Sequence, residues 1–395
     1  MNTTLPPVNE WRGRQVEMGE LQKELKNEAI RLIGIVAPGG YGKSALAVKL
    51  TERLTDWRVL WVNFTEPYSL SQFGRWLLEA LGQAYDEKWD EETLMRQMAQ
   101  GLTKEPCVLV LDNLETVAPT AGDSLYGQFL SRWLGSGDKG KILLTSREQP
   151  SFAVNLKRRC HWLRLGGLAE ADAIQLVRLD YGFTGTDGEL TQFVNQMGRH
   201  PLLIQLVCSW MIDEFGEGVS VTASQDLGLN LFDVEGYHRE TETSVREVIA
   251  ASLGRLSAQL GESLTRLSVL RESFDLALAK GVSPEITDPD LRHLARLSLL
   301  QEFPPDPQGG KPRRFQLLPL ISMAVQEQGD AELLRSAHQS ALDYFLNTLQ
   351  PPPWESWQDF AAYMEGFHHA SALGKWQLAA KFSSWNFELI LALRE

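Results

Sequence analysis

A glycine-rich segment that ends in Lys43-Ser44 constrains this chain more than any other part of its sequence. Residues 37–44 read Ala-Pro-Gly-Gly-Tyr-Gly-Lys-Ser and follow the apolar run Ile30–Val36 directly. In such a loop the backbone N–H groups surround a β-phosphate, the lysine reaches the β- and γ-phosphate oxygens, and the serine hydroxyl ligates Mg²⁺. A helix that starts at Lys43 adds the positive end of its dipole. The segment therefore predicts a phosphate-binding P-loop for a nucleoside triphosphate with Mg²⁺.

The predicted loop departs from the pattern G-x-x-x-x-G-K-[ST] at its first position, which is Ala37. Alanine is the smallest replacement for glycine, so we expect it to be tolerated unless this residue needs a positive φ. The alternative is a strand-to-helix turn that binds no ligand. We expect the following residues to contact the nucleotide: Gly39, Gly40, Tyr41, Gly42, Lys43, Ser44 and Ala45.

Length and composition indicate a protein of several domains in a reducing compartment. The 395 residues, 43% of them hydrophobic, suffice for about two to four domains. No apolar run approaches a membrane span, and the start of the chain lacks the pattern of a signal peptide. The three cysteines, Cys107, Cys160 and Cys208, have no metal-type spacing. We therefore expect a cytoplasmic protein with buried thiols and no membrane contact.

The charge balance bears on the partners. The formal net charge is −13, and no long stripe of lysine and arginine offsets it. This balance disfavours bulk nucleic-acid binding.

The order of the predicted elements indicates an α/β fold. Apolar runs alternate with helical patterns in the first half, as in a parallel sheet that is covered on both faces. The predicted strands are Ile30–Val36, Val59–Phe64, Cys107–Leu111, Lys141–Thr145 and His161–Leu165. The predicted helices between them are Ser44–Leu54, Leu70–Leu81, Glu92–Leu102 and Tyr126–Leu134.

The second half reads mainly as helices. Ala169–Asp180, Glu189–Met197 and Pro201–Ile212 follow the sheet. Three further predicted helices, Ser244–Leu256, Leu260–Val269 and Asp290–Leu297, precede a hairpin of Leu299–Phe303 and Arg314–Leu318, which suggests a winged helix. We place the domains at 1–167 (P-loop domain), 168–240 (small helical domain), 241–330 (winged helix) and 331–395 (start of a helical array).

The last segment contains one piece that is similar to a tetratricopeptide unit. Gly374, Trp376, Ala379 and Phe382 stand at suitable positions in it. A single copy is weak evidence, and an ordinary helical hairpin explains it equally well. Because the chain stops in an apolar stretch, we expect it to be a fragment of a longer helical array.

A second phosphate-site motif is the apolar run from Cys107 that ends in Asp112. A buried strand would deliver this carboxylate to the Mg²⁺ side of the P-loop, as in a Walker B segment. The next residue is Asn113 instead of a second acid, so Glu115 is the nearest candidate to polarise a water. Glu115 serves equally well as an acidic charge at the start of the next helix. Asp112 and Ser44 are the predicted Mg²⁺ ligands.

Arg147 ends a third strand-like run, Lys141–Ser146. As a planar and permanently charged donor, it could contact the γ-phosphate and distinguish a triphosphate from a diphosphate. The predicted catalytic residues are thus Lys43, Asp112, Glu115 and Arg147.

These motifs, in this order, resemble the NB-ARC branch of the STAND ATPases over about residues 10–330. The segment Trp11-Arg12-Gly13-Arg14 looks like the family motif that borders the adenine pocket, and Gly198-Arg-His-Pro201 is similar to the motif whose proline packs against the nucleotide. The resemblance implies that Arg12, Gly13, Arg14 and Pro201 bind ATP or ADP. Many family members hold the ADP β-phosphate with a histidine where this chain has Leu317-Leu318-Pro319.

The resemblance implies a signalling switch that binds ATP or ADP with Mg²⁺, hydrolyses ATP slowly and rearranges or oligomerises with the nucleotide. We expect protein partners at the C-terminal helices and a nucleotide-dependent homo-oligomer. Two alternatives remain open. One is a DNA-associated ATPase of the AAA+ type, which the acidic charge and Asn113 disfavour. The other is a scaffold that binds nucleotide without hydrolysing it, which Ala37, Asn113 and Leu318 leave open.

Overall fold

The chain forms two compact units in the computed structural model. Of the described residues, the first unit contains those up to Ile204 and Glu217–Asp226, and the second contains Gln205–Gly216, Leu227 and those from 249 onward. The predicted four-domain division is finer than this and stays a prediction. The structure describes residues 5, 6, 8, 11–64, 68–118, 124–135, 140–150, 154–227, 249–305, 312–349 and 357–383.

A five-stranded parallel sheet forms the centre of the first unit. Its strands are β1 (Leu32–Val36), β2 (Arg58–Asn63), β3 (Cys107–Asp112), β4 (Lys141–Ser146) and β5 (Cys160–Arg164), in the order β2-β3-β4-β1-β5. All residues of β1, β3 and β4 are buried, as expected for apolar strands that are covered on both faces. The observed sheet, with its helices, confirms the predicted P-loop NTPase fold class.

Helices connect and cover these strands. They are α1 (Gln15–Lys26), α2 (Lys43–Thr51), α3 (Leu70–Ala80), α4 (Glu91–Gly101), α5 (Leu125–Gly135) and α6 (Val154–Lys157). Met18, Leu21 and Leu25 of α1, together with Leu46 and Leu50 of α2, pack in one core cluster with β1. This packing fixes the start of α2, and with it the P-loop, against the carboxyl end of β1.

A helical segment follows the sheet. It consists of α7 (Glu170–Gln175), which continues as a π-helical turn (Leu176–Asp180), then α8 (Asp187–Gln196) and α9 (Pro201–Phe215). Thr186 caps α8 in a capping box with Glu189, and Pro201 occupies the first turn of α9. Residues 201–204 of α9 belong to the first unit, and the rest of the helix belongs to the second.

The second unit is mainly helical. Its elements are α10 (Ala258–Leu267), α11 (Leu276–Val282), α12 (Asp288–Arg296), β6 (Gln301–Phe303), β7 (Arg314–Gln316), α13 (Pro319–Gln328), α14 (Ala331–Thr348), α15 (Trp357–Ala372) and α16 (Trp376–Ser383). Strands β6 and β7 pair in antiparallel fashion after three helices, which is the order that a winged helix requires. Helix α11 was not predicted, and most of the predicted helix Ser244–Leu256 lies outside the described residues.

The last two helices, α15 and α16, form a helical hairpin, which is compatible with either interpretation of this segment. Gly374 has a φ of +70° between α15 and α16, and Ala379 and Phe382 are buried. Trp376, in contrast, is 69% exposed. The tetratricopeptide assignment stays a prediction. Among the described residues, no helix combines the length and apolar character needed to cross a membrane.

Candidate nucleotide site

The P-loop connects β1 to α2 at the carboxyl edge of the sheet. Gly40 and Gly42 have φ values of +81° and +84°, which glycine adopts without strain. Ala37 is not among the residues with a positive φ, and its N–H donates to the Ser146 carbonyl at 3.3 Å. The condition under which an alanine is tolerated at this position is therefore met.

Lys43 lies at the start of α2 and is only 7% exposed. Its Nζ donates to the carbonyl oxygens of Ala37 at 2.8 Å and Pro38 at 3.0 Å. The ammonium is thereby held over the loop that the sequence predicts to surround the phosphates. This placement agrees with its predicted role on the β- and γ-phosphate oxygens.

Asp112 ends β3 and meets the P-loop helix directly. Its Oδ1 accepts hydrogen bonds from Ser44 Oγ at 2.7 Å and from Thr145 Oγ1. The side chain is almost fully buried, and this burial raises the pKa of Asp112, whereas the two hydroxyl donors and the charge of Lys43 act in the opposite direction. The two predicted Mg²⁺ ligands, Ser44 and Asp112, are thus in contact.

Thr145 belongs to the site although the sequence analysis did not select it. Its hydroxyl donates to Asp112 and accepts the backbone N–H of Asn113 at 3.0 Å. The signal was a hydroxyl residue directly after the apolar run Ile142–Leu144 of the fully buried strand β4, which lies beside β3. A buried polar group needs a partner, and here that partner is the carboxylate.

Asn113 occupies the position where many motor ATPases have a second acid. It adopts a left-handed conformation with a φ of +59°, and its Nδ2 donates to Asn63 Oδ1 at 2.7 Å. Asn63 ends β2, the strand beside β3. The amide therefore ties two strand ends together.

Glu115 and Arg147 are paired with each other. Arg147 Nε lies 3.3 Å from Glu115 Oε1, and the Arg147 backbone N–H donates to Glu115 Oε2 at 3.2 Å. Glu115 lies in a short 3₁₀ helix, Leu114–Thr116, directly after Asp112 and Asn113. The predicted water-polarising acid and the predicted γ-phosphate sensor thus form one half-buried ion pair.

Arg14 links the N-terminal motif to the P-loop. Its guanidinium donates to the carbonyl oxygens of Tyr41 at 3.3 Å, Gly166 at 2.7 Å and Gly167 at 3.2 Å, and it pairs with Glu17 at 2.8 Å. The side chain is buried. Arg14 therefore holds together the loop and the entry to the helical segment.

Arg12 and Gly13 are engaged with the helical segment. Arg12 forms a bidentate pair with Asp180, with both distances at 2.7 Å. Gly13 has a φ of +71°, and a Cβ there would lie 2.3 Å from Asp172 Oδ2, so a side chain would be strained and would displace Asp172. Their predicted roles at the nucleotide stay predictions.

The start of α9 contacts the P-loop through His200. This buried residue donates from Nε2 to the Gly39 carbonyl at 3.1 Å and accepts the Leu203 N–H at Nδ1 at 3.2 Å. Its ring also meets the edge of Tyr41, and the Leu202 N–H donates to the Gly40 carbonyl at 3.3 Å. Burial lowers the pKa of His200 to about 4. His200 thus caps the first turn of α9, and the neutral ring also joins this helix to the loop.

Comparisons with known proteins support this geometry at a coarse level. Residues 28–145 match the family described as AAA domain, so this part of the chain is an AAA-type P-loop ATPase domain. Domains of this kind bind a nucleotide with Mg²⁺. An uncharacterised WD repeat-containing protein of Nostoc sp. is 25% identical over 329 residues, which are 75% of this chain and 25% of that protein.

The same fold is found in a solved structure of another protein. A STAND ATPase with a tetratricopeptide repeat sensor from Pyrococcus horikoshii superposes with a TM-score of 0.67 at 16% identity, over 96% of this chain and 50% of that one. The Aeropyrum pernix ORC1 protein in complex with DNA superposes with a TM-score of only 0.38 at 14% identity, over 81% of this chain and 94% of that one. A TM-score this low does not show that the two folds are the same. The chain thus spans a quarter of the curated relative and half of the STAND structure.

Proposed function

We propose that this protein is a signalling switch of the STAND class that binds ATP or ADP and rearranges with the bound nucleotide. The observation that carries the proposal is the contact between the P-loop and the start of α9, made by His200 and Leu202 on Gly39 and Gly40. A loop that changes its conformation with the nucleotide would move the start of α9. The later residues of that helix belong to the second unit, so the change would reach the C-terminal helices.

The residues of the site fit a nucleotide with Mg²⁺. Ser44 and Asp112 bring a hydroxyl and a carboxylate to one point, and hard oxygen ligands of this kind suit Mg²⁺. Lys43 would stabilise negative charge on the phosphates, and Arg147 would contact the γ-phosphate. A nucleotide bound in this way would favour the arrangement of the chain that binds it more tightly. The size of the shift would be set by the ratio of its affinities for the two arrangements.

Slow hydrolysis is the expected chemistry. Glu115 must leave Arg147 before its carboxylate can polarise a water, and Asn113 supplies no second acid beside Asp112. Such a site would retain ATP long enough for a partner or a second copy of the chain to bind. The C-terminal helices are the proposed place for protein partners. Within the STAND class, we propose that the chain belongs to the NB-ARC branch.

The first experiment identifies the nucleotide that the purified protein retains. Acid denaturation followed by chromatography should release ADP or ATP from the wild-type chain and much less from Lys43→Ala. Small-angle scattering with ADP, and then with a non-hydrolysable ATP analogue, both with Mg²⁺, should give two different radii or masses. Nucleotide binding with identical scattering curves would overturn the switch, and no binding at all would overturn the site.

A scaffold that binds nucleotide without hydrolysis is the second candidate, because Glu115 is held by Arg147 in this structure. The two functions differ in turnover. Single-turnover measurements with excess protein should detect slow phosphate release from the switch and none from the scaffold. Asp112→Asn provides the background rate, since this change removes the proposed Mg²⁺ carboxylate.

A further inference from the structure

Three histidines of the second unit lie together between α14 and α15. His338 is on α14, and His368 and His369 are on α15. One potential ligand nitrogen of each ring lies within 4.8 Å of the other two. The Nδ1 atoms of His338 and His369 are 2.9 Å apart. Neutral imidazole is the commonest metal ligand in proteins, so this juxtaposition has the composition of a metal site.

A second observation points in the same direction. His369 is fully buried, and within the described residues its Nε2 has no hydrogen-bond partner. That atom lies 3.8 Å from Glu365 Oε2, on the preceding turn of the same helix. Glu365 is buried in turn and pairs with Arg271 at 2.6 Å. Buried polar atoms are normally satisfied, so the orphaned nitrogen indicates a contact that closes only when a ligand is bound.

We propose that His338, His368 and His369 bind one divalent transition-metal ion of the zinc class, each through one ring nitrogen. The ion would connect α14 to α15 and stabilise the C-terminal helices. The proposal does not depend on nucleotide binding in the first unit.

The distances suit tetrahedral coordination after a small adjustment. Zinc binds imidazole nitrogen at about 2.0–2.1 Å, which places two ligand nitrogens about 3.3–3.4 Å apart. The Nδ1 atoms of His338 and His369, 2.9 Å apart, are already close to this separation. Because all three nitrogens lie within 4.8 Å of one another, no separation has to shorten by more than about 1.5 Å, which a small rotation of the half-buried His368 side chain would supply at low cost. Three imidazoles leave a fourth position for water.

The surroundings of His369 match the usual support for a metal-binding histidine. Such a ring ligates with one nitrogen and donates the N–H of the other to a carboxylate. If Nδ1 of His369 faces the ion, Nε2–H faces Glu365, and closing the 3.8 Å gap would complete this arrangement. Arg271 orients the carboxylate, and the charge of Glu365 offsets the positive charge that Arg271 places near the ion.

The ring chemistry agrees with this geometry. Burial lowers the pKa of His338 to about 4, and the other two rings shift in the same direction. The imidazoles are therefore in the neutral form that ligates metals. Phe345 stacks on His369 at a centroid distance of 5.8 Å and excludes water from one side of the cluster.

The test is a titration of the untagged, nucleotide-free full chain with Zn²⁺ alone, followed by calorimetry, and with Co²⁺ alone, followed by visible absorption. We expect one equivalent of metal and the intense absorption of tetrahedral Co²⁺. His368→Gln and His338→Gln should each weaken binding by at least ~10-fold, the lower end of the loss seen for outer-shell partners. His293→Gln is the matched control, because His293 lies on α12 of the same unit and is partly exposed.

Thermal melts in EDTA would establish that the variants fold. Added Zn²⁺ should raise the melting temperature of the wild-type chain and of His293→Gln, but not that of His368→Gln. X-ray absorption at the zinc edge of the wild-type chain counts the imidazole ligands without any variant. Absence of zinc binding, binding that is equal in all variants, or an edge spectrum with fewer than three imidazoles would overturn the proposal.

Discussion

Arg147 Nε lies 3.3 Å from Glu115 Oε1, at the carboxyl edge of the parallel sheet. This pair joins the residue proposed to sense the γ-phosphate to the residue proposed to polarise a water. A γ-phosphate that attracts the guanidinium competes with the carboxylate for it. Because a half-exposed ion pair of this kind contributes only about 1 kcal/mol or less, the phosphate can displace Glu115. In the proposed switch, sensing of ATP and release of the acid would therefore be coupled through this one contact.

Changing Arg147 to Ala should weaken the binding of ATP more than the binding of ADP. Only the γ-phosphate lies within the proposed reach of the guanidinium, and a charge-assisted contact is worth about 1.5–3 kcal/mol. Calorimetry with each nucleotide and Mg²⁺ measures the difference. Arg164→Ala is the matched control, since Arg164 ends another strand of the same sheet, β5, and is exposed. An equal loss for ATP and ADP would remove the sensor role.

Changing Lys43 to Ala should abolish tight binding of triphosphate. The variant lacks the ammonium that lies over the loop carbonyls. Loss of its charge-assisted contact with the phosphates should cost about 1.5–3 kcal/mol of binding free energy. Lys49→Ala on the same helix is the control, because Lys49 pairs with Glu52 on the surface. Fluorescence titration with a labelled ATP analogue compares the two variants. Unchanged affinity in Lys43→Ala would refute the P-loop assignment.

The sheet was predictable because its strands are short and mainly apolar, and three of them, β1, β3 and β4, are fully buried. Each predicted strand agrees with the observed one to within about two residues, as for Cys107–Leu111 against Cys107–Asp112. Continuous apolar runs arise where helices cover both faces, and this pattern needs no knowledge of the partners. The strand ends carry the chemistry, so the sequence also indicated Asp112 and Arg147. The order of the strands requires tertiary contacts and was not predicted.

The residues that were missed act through partners that are remote in the sequence. Thr145 reaches Asp112 across 33 positions, and His369 reaches His338 across 31. A single hydroxyl in a strand or a histidine pair in a helix gives no signal until the fold brings its partner close. Helix α11 is only seven residues long, which is too short for a clear helical period.

Changing Asp112 to Asn should leave nucleotide affinity in EDTA largely intact and remove the gain that Mg²⁺ provides. Asparagine keeps an acceptor for Ser44 and Thr145 but carries no charge for the metal. Thr145→Val should have a smaller effect of the same kind, since it removes one donor that fixes the carboxylate. The check is the Mg²⁺ dependence of turnover and of affinity.

A matched control for Asp112→Asn is Asp90→Asn. Asp90 is an exposed carboxylate that caps α4 by accepting the Thr93 N–H, so its loss tests only the stability of that helix. Full Mg²⁺-dependent turnover in Asp112→Asn would show that Asp112 is a structural residue at the end of β3. A loss of the same size in both variants would point to the same conclusion.

Changing His200 to Gln should reduce the pH dependence of stability on the acid side. The pKa of the buried ring is about 4 in the folded protein, whereas an unfolded histidine titrates near ~6.5. Above pH ~6.5 the ring is neutral in both states, so its contribution to stability is fully present there. As the pH falls from ~6.5 to ~4 the unfolded chain takes up the proton first, and stability is lost by up to about 3 kcal/mol. Glutamine can still donate to the Gly39 carbonyl but does not titrate.

Urea unfolding of both proteins between pH ~7.5 and ~4.5 measures this difference. The histidines at 338, 368 and 369 also have lowered pKa values, but they are present in both proteins, so subtracting one curve from the other isolates the contribution of His200. The two curves should lie close together above pH ~6.5 and separate below it, with the wild-type protein losing more stability. Parallel curves over the whole range would mean that His200 is protonated as easily in the folded protein as in the unfolded chain. In that case the ring could not be held neutral between Gly39 and Leu203, and the contact between the P-loop and α9 would lose its main hydrogen bond.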